Sequence, residues 1–138
     1  MCGIAGILDY GNIFSGEVLA QRVESMSELL KHRGPDDNGL WSEKNGFAAL
    51  AHRRLSILDL SNAGQQPMTS EDNSHIIVFN GEIYNHLEIR KELELLGETF
   101  KSSCDTEVLL KSYLRWGKDC IKRFDGMFAF LILNPKEK

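Results

Sequence analysis

Short apolar segments that do not alternate regularly with amphipathic stretches most constrain the fold of this chain. Segments 3–9, 47–55, 75–79 and 126–133 are each short and rich in apolar residues, which predicts strands that face a core. Helix signals lie between them, but not in the strict strand–helix order of a doubly wound parallel sheet. We therefore expect an α+β fold rather than an α/β fold.

Helix signals occur in three places. Ser15 is predicted to cap a helix whose apolar residues recur every three to four positions, namely Leu19, Val23, Met26 and Leu30. Asn85, with Glu88 three residues later, resembles a capping box at the start of a second helix. Asp105 is predicted to cap a third helix, whose apolar face carries Leu109, Tyr113 and Trp116. These helices complete the α+β pattern.

The composition excludes several classes of protein. With 138 residues, 42% of them hydrophobic, and a net charge of −4, the chain suits one domain with a real core. The acidic balance argues against nucleic-acid binding, and no apolar run is long enough to span a bilayer. Three cysteines, an odd number, do not make a disulfide framework. We therefore expect a cytoplasmic protein that binds neither nucleic acid nor membrane.

The start Met1-Cys2-Gly3 is the sharpest chemical feature. Removal of Met1 leaves Cys2 with a thiol and a free α-amine on the same residue. An α-amine has a pKa of about 7.7–8.0, so near neutral pH a fraction of it is unprotonated and acts as a base. The alternatives are a buried cysteine that opens a strand and, as a minor option, a lipidated terminus. From these residues alone, both a catalytic and a structural cysteine stay open.

The pair Asn80-Gly81 follows an apolar segment and has two interpretations. One is a type I′ hairpin turn, for which Asn-Gly is the strongest short signal. The other uses the Asn80 side-chain amide and the Gly81 backbone N–H as two donors to a developing oxyanion. Both interpretations stay open.

Charged residues between apolar segments also have two interpretations. Paired arginines such as Arg53 and Arg54 commonly form a solvated face, and an aspartate such as Asp105 at a helix start is commonly a cap. The functional alternative has one arginine holding a carboxylate while an acidic group holds an ammonium. Those two contacts together fit the two ends of a free α-amino acid.

Ordered motifs along the whole chain resemble one known family. They are MCGIAGI at the start, HRGPDDNG (32–39), AHRRLSILDLS (51–61), GQQPM (64–68), NGEIYNH (80–86), CDTEV (104–108) and FDGMFAF (124–130). The chain is similar to the glutaminase domain of class II glutamine amidotransferases, of the glutamine-hydrolysing asparagine synthetase type. The resemblance implies a partial type 2 amidotransferase domain at residues 2–138. It also implies the four-layer αββα sandwich of N-terminal-nucleophile hydrolases.

The resemblance implies three catalytic residues. Cys2 matches the N-terminal nucleophile that loss of Met1 exposes, and Asn80 and Gly81 match the oxyanion hole. In the implied mechanism the Cys2 sulfur attacks the side-chain amide carbon of glutamine, and water hydrolyses the resulting γ-glutamyl thioester. The ammonia released would serve to form asparagine from aspartate and ATP.

The resemblance also implies a glutamine-binding pocket. Arg54 matches the residue that binds the α-carboxylate, and Glu82 and Asp105 match acidic residues near the α-amino group. Asn80 and Gly81 would contact the substrate as well. The rest of the pocket matches the backbone of Leu55, Ser56, Ile57 and Leu58.

Cofactors and partners follow from the same resemblance. The four histidines and three cysteines lack the spacing of metal ligands, so we expect no metal site. We expect no cofactor in this domain, with ATP and Mg bound only by a synthetase domain that this chain lacks. The expected partners are L-glutamine and a synthetase domain or a complementing polypeptide.

The position at which this sequence ends gives an alternative interpretation in which the domain is not catalytic. The family's domain continues for several strands after the segment 124–130, whereas this chain ends soon after it. We therefore expect a sandwich that is incomplete at its C-terminal end, with open edges, exposed apolar surface and marginal stability. The alternative function is a truncated non-catalytic fragment, or a binding or regulatory module that keeps the motifs without activity.

Overall fold

The computed structural model describes residues 2–55 and 64–137. The elements of these residues, in chain order, are β1 (Gly3–Leu8), α1 (Gly16–Leu29), β2 (Asp37–Ser42), β3 (Ala48–Arg54), β4 (Met68–Thr69), β5 (Ile76–Ile83), α2 (His86–Leu95), α3 (Asp105–Trp116), a 3₁₀ helix (Gly117–Arg123) and β6 (Gly126–Leu133).

The first sheet contains β1, β3 and β2, in that order and all antiparallel. Gly3 of β1 lies opposite Arg53 of β3, and Asp37 of β2 lies opposite Arg54. This register brings the start of the chain beside the end of β3. Residues about 50 positions apart in sequence therefore become neighbours.

The second sheet contains β4, β5 and β6, again antiparallel. β5 pairs with β6 along its whole length, from Ile76 opposite Leu133 to Ile83 opposite Gly126. β4 is only two residues long and pairs with Ile76 and Ile77. Within residues 2–55 and 64–137, the β4 side of β5 therefore carries no strand beyond Ile77, and β6 carries none on its outer side.

The two sheets pack face to face through alternate residues of their strands. Ala48 and Leu50 of β3 contact a cluster that includes Ile76 and Val78 of β5. Because successive side chains of a strand point to opposite faces, the residues between these inner ones face the outer layers of the sandwich. This inner cluster forms the centre of the sandwich.

Helices cover the outer face of each sheet. Ala49 and Ala51 of β3 pack on α1, and the outer face of β5 packs on α2 and α3 through Ile77, Phe79 and Ile83. The layers therefore run α1, first sheet, second sheet, then α2 with α3. This order confirms the expected α+β fold and its αββα sandwich.

The ends of the helices agree with the sequence in one case and differ in two. Ser15 caps α1 as predicted, since its Oγ accepts a hydrogen bond from the Val18 N–H. Asn85 occupies the cap position of α2, but its side chain bonds to the Arg123 carbonyl and the Asp125 N–H instead. Cys104, rather than Asp105, is the cap residue of α3. In both cases the side chain predicted to cap the helix bonds to a residue distant in sequence: Asn85 to residues 123 and 125, and Asp105 to the Ile83 N–H.

Burial along α2 yields a test of the layer order. We expect Leu93→Ala to lower the free energy of unfolding by about 2–5 kcal/mol, because a buried leucine leaves a cavity when truncated. Leu93 is fully buried against the second sheet and α3. Leu95→Ala is the matched control, since Leu95 on the same helix is 88% exposed, and it should cost less than about 0.5 kcal/mol. Urea unfolding measures both; equal losses would contradict this placement of α2.

Candidate active site

A cavity of about 260 Å³ lies where β1 begins and β3 ends, bordered by both sheets and by the start of α3. Residues predicted for the site from distant parts of the chain share its wall: Cys2, Arg54, Leu55, Gly81, Glu82 and Asp105. Asn80 is not part of the wall, although it precedes Gly81 in β5. Ser56, Ile57 and Leu58 lie outside the described residues.

Cys2 is held by backbone and side-chain groups from two motifs. The Leu55 N–H donates to the Cys2 Sγ at 3.4 Å, and the Arg33 Nε donates to the Cys2 carbonyl oxygen at 3.0 Å. The thiol is half-buried and is not part of a disulfide. Its position at the cavity wall is therefore fixed from both sides, and its sulfur lies next to the end of β3.

In the part of the chain that the structure describes, side chains rather than a strand bond to the edge of β5 beyond β4. The Phe79 N–H donates to the Gln66 Oε1 at 2.6 Å, and the Phe79 carbonyl oxygen accepts from the His52 Nε2 at 3.1 Å. Four residues on, the Ile83 N–H donates to the Asp105 Oδ2 at 3.0 Å. These bonds show that the backbone groups of alternate residues, 79 and 83, point to this edge rather than to β6.

Gly81 lies midway between those two residues on the same edge. In an antiparallel ladder the backbone groups of alternate residues point to the same side, so the Gly81 N–H also points to the edge that borders the cavity. A Cβ at this position would overlap the Met127 carbonyl and the Phe128 backbone of β6. Glycine is therefore required here by the close approach of β6.

Asn80 occupies the interior of a strand, which excludes the hairpin-turn interpretation of Asn80-Gly81. It lies opposite Ala129 within the continuous pairing of β5 and β6. By alternation its side chain shares the inner face with Ile76 and Val78. In the described part of the chain its buried Oδ1 has no hydrogen-bond partner. A polar side chain thus enters the sandwich beside the cavity.

The cavity combines charges of both signs. Arg54 is buried at the end of β3, Asp105 is buried at the start of α3, and Glu82 is exposed. Burial raises the pKa of the Asp105 carboxyl above its usual value, while the Ile83 N–H and the nearby His86 oppose that rise. A cation and two carboxyl groups around one cavity can hold a small zwitterion.

His52 is the most buried ionisable group beside the cavity. It lies on the same face of β3 as Arg54 and is 1% exposed. The pKa of His52 is lowered from 6.5 to about 4, mainly by burial and in smaller part by the Arg54 charge, while the Phe79 carbonyl and the Asp37 charge oppose the decrease. His52 is therefore neutral at neutral pH. Because Phe79 offers an acceptor, Nε2 must carry the proton.

Residues 2–55 and 64–137 contain neither a cluster of metal-ligating side chains nor a helix suited to cross a membrane. No three histidine, cysteine, aspartate or glutamate side chains come together there in a way that could hold a metal ion. None of the helices in the same residues combines the length and hydropathy that crossing a bilayer requires.

Comparisons with known proteins decide the family. The family model described as a glutamine amidotransferase domain matches residues 1–138. The chain belongs to the glutamine amidotransferase domain family. A putative glutamine-hydrolysing asparagine synthetase 2 of Methanocaldococcus jannaschii is 44% identical over 99% of this chain. Glutamine-hydrolysing asparagine synthetase 1 of Bacillus subtilis is 41% identical over the same share.

The chain corresponds to only part of each relative. The chain spans 28% of the length of the first relative and 21% of the second. Among solved structures, the glutamine phosphoribosylpyrophosphate amidotransferase of B. subtilis superposes with a TM-score of 0.74 at 22% identity, over 96% of this chain and 34% of that chain. At that identity the likeness establishes the fold alone, and it is the fold expected from the sequence.

In this amidotransferase domain, residues that the sequence did not single out for the site also lie at or beside the cavity. His52, Gln66, Cys104 and Thr106 line the cavity, and Arg33 holds Cys2 from outside it. Each of them belongs to a motif that carried the resemblance. Motif membership was therefore the available signal, but it does not tell a residue that contacts a substrate from one that supports the pocket.

The lowered pKa of His52 predicts a stability that depends on pH. Between pH 6.5 and about 4 the unfolded chain binds a proton that the folded chain does not, so stability falls as the pH falls through this range. The full loss corresponds to about 3 kcal/mol. Asp105, whose pKa is raised by burial, acts in the opposite direction.

The variant His52→Gln isolates this contribution, because glutamine does not titrate and its amide can still donate to Phe79. Urea unfolding of both proteins at about pH 7 and about pH 4.5 gives the comparison, and the natural chain should lose about 2–3 kcal/mol more than the variant. Equal losses in both proteins would show that His52 is not buried as described.

Proposed function

We propose that this domain hydrolyses the side-chain amide of L-glutamine to release ammonia. The observation that carries the proposal is the shared cavity, which places the Cys2 thiol, the Gly81 N–H, a buried cation and a buried carboxyl group around one space. A nucleophile, an oxyanion donor and partners for both ends of an amino acid are what the reaction requires. Family membership supports the same reaction class.

The proposed nucleophile is Cys2, with Met1 removed. The free α-amine of Cys2 takes the thiol proton, and the sulfur attacks the amide carbon to give a tetrahedral oxyanion. The Gly81 N–H, with the Asn80 side chain beside it in β5, is proposed to stabilise that oxyanion. The C–N bond then breaks as the amine returns its proton to the leaving nitrogen. Water hydrolyses the γ-glutamyl thioester to glutamate and regenerates the thiol.

The proposed substrate contacts follow the charges of the cavity. The guanidinium of Arg54 would hold the α-carboxylate, for which its planar donors are suited. Asp105 and Glu82 would hold the α-ammonium, with Leu55 and the residues after it completing the pocket. A bound ammonium favours the charged form of Asp105 and so offsets the effect of its burial.

The wider role is proposed from the named relatives, which are glutamine-hydrolysing asparagine synthetases. We propose that the ammonia serves asparagine formation from aspartate and ATP, with a synthetase domain or a complementing polypeptide as partner. ATP and Mg would bind to that partner, and this domain would need no cofactor. A reducing cytoplasm is the proposed compartment, which fits the three free cysteines.

Loss of the nucleophile tests the reaction. Cys2→Ala should abolish glutamate release from glutamine, whereas Cys120→Ala, which removes a buried cysteine outside the cavity wall, should retain it. Release of glutamate measured by a coupled dehydrogenase assay gives the rate. A well-folded natural chain with no release rejects the proposal and favours a non-catalytic binding module.

Intact mass spectrometry accompanies this assay. A chain from which Met1 is absent should be active, and a fraction that retains Met1 should be inactive because the proposed base is then an amide nitrogen. Activity that is equal in both fractions would contradict the role of the terminal amine.

Separate roles in binding and catalysis predict separate kinetic effects. Arg54→Met should mainly raise KM, since it removes a contact that ground state and transition state share. Asn80→Ala should mainly lower kcat, by about 10²–10³-fold for a lost oxyanion donor. Arg53→Met is the control for the arginine change, because Arg53 faces α1, where it contacts Ser27 and Glu28. The reverse pattern, with kcat lost at Arg54 and KM raised at Asn80, would overturn the assignment.

A further inference from the structure

We propose that His52 and Gln66 are positioning residues for this reaction, which together hold the backbone of Phe79 so that Asn80 and Gly81 are aimed at the substrate. The proposal rests on the proposed function, in which neither side chain performs a chemical step. Both line the cavity and both are buried. Each uses its polar group on the backbone of the same residue.

Within residues 2–55 and 64–137, no strand pairs with β5 at Phe79 on the side of β4. A backbone N–H or C=O that is buried without a partner costs about 1–3 kcal/mol. β4 begins at Met68, opposite Ile77, and therefore does not extend to Phe79. Gln66 accepts from the Phe79 N–H at 2.6 Å and His52 donates to its carbonyl at 3.1 Å. The two side chains thus replace a strand at the residue directly before Asn80.

The peptide unit that follows Phe79 also orients Asn80. The carbonyl that His52 holds belongs to the peptide unit that also contains the Asn80 nitrogen, so its orientation sets the direction in which Asn80 leaves the backbone. The next peptide unit carries the Gly81 N–H. A displacement of about 1 Å in a catalytic group can cost roughly 10²-fold in rate. A fixed peptide before Asn80 therefore matters to both oxyanion donors.

His52 and Gln66 connect Phe79 to β3 and to α3. His52 lies on β3, two residues before Arg54 and on the same face of that strand. Gln66 donates through its Nε2 to the Thr106 Oγ1, directly after Asp105 at the start of α3. The contacts of Phe79 therefore link the oxyanion donors to both elements that carry the proposed substrate-binding charges.

The variants are chosen to separate loss of the contact from loss of volume. His52→Phe keeps a planar ring without a donor, whereas His52→Gln keeps an N–H at a similar distance from the backbone. Gln66→Met keeps the length of the side chain without its acceptor. Arg53→Met is the matched control, because it changes the adjacent buried residue of β3 on the face that contacts α1.

The kinetic readout uses the purified chain with glutamine. We expect His52→Phe and Gln66→Met to lower kcat by roughly 10–100-fold with KM within about twofold of the natural value. His52→Gln should recover most of the loss, and Arg53→Met should leave kcat within about twofold. In the Asn80→Ala background, His52→Phe should lower kcat by a smaller factor than in the natural chain, since only the Gly81 donor then remains to be displaced.

Three kinetic results for His52→Phe would each contradict the proposal in a different way. A kcat per folded molecule that is unchanged in His52→Phe, with only stability reduced, leaves the side chain a purely structural role. A rise in KM that matches Arg54→Met would show that His52 acts on substrate binding. Full additivity with Asn80→Ala would show that it does not act through Asn80.

A readout independent of activity keeps the two proposals separable. Hydrogen exchange of the backbone amides of residues 76–83 should quicken by about tenfold in His52→Phe and Gln66→Met relative to Arg53→Met. Unchanged protection overturns the positioning proposal even if the natural chain is active. Conversely, a natural chain that releases no glutamate overturns the proposed function, whatever the exchange rates.

Discussion

The short length of β4 is the constraint on which the rest of the site depends. Because β4 pairs with only two residues of β5, the remaining edge of β5 must find its hydrogen bonds elsewhere. Side chains from β3, from the segment before β4 and from α3 supply them at Phe79 and Ile83. The residue between those two positions is Gly81, whose N–H borders the cavity. Among the described residues, no strand covers this edge at Gly81, which is where the proposed reaction would need its oxyanion donor.

The start of α3 shows how one short motif serves several parts of this arrangement. In CDTEV, Asp105 accepts from the Ile83 N–H, and Thr106 accepts from Gln66. Glu107 is turned the other way and accepts from the backbone N–H groups of Lys101 and Ser102, which fixes the loop that leads into the helix. Three consecutive polar side chains therefore hold β5, the segment before β4 and the helix's own entry loop.

The sequence predicted the parts of the fold that local pattern determines. Segments 3–9, 47–55 and 126–133 form strands within one or two residues of their predicted limits, since each is apolar enough to be buried. β5 was predicted to end at Phe79 but continues to Ile83, because pairing with β6 overrides the turn preference of Asn80-Gly81. β2 (37–42) and β4 were missed, since their polar and short sequences form strands only through partners distant in sequence.

The residue types of the candidate site could be predicted from the sequence, but the residues that hold them in position could not. Cys2, Arg54, Gly81 and Asp105 stand out because their chemistry fits a reaction, and they share one cavity. Arg54 and Asp105, like the neutral His52, are buried polar groups that stabilise a fold less than apolar side chains of similar volume would. Both Arg54 and Asp105 have partners within the chain, such as the Ile83 N–H for Asp105. Under the proposed function, a ligand that carries complementary charges at its two ends would contact them in addition, at the wall that they share. The burial of two opposite charges at one cavity therefore agrees with the proposed zwitterionic substrate.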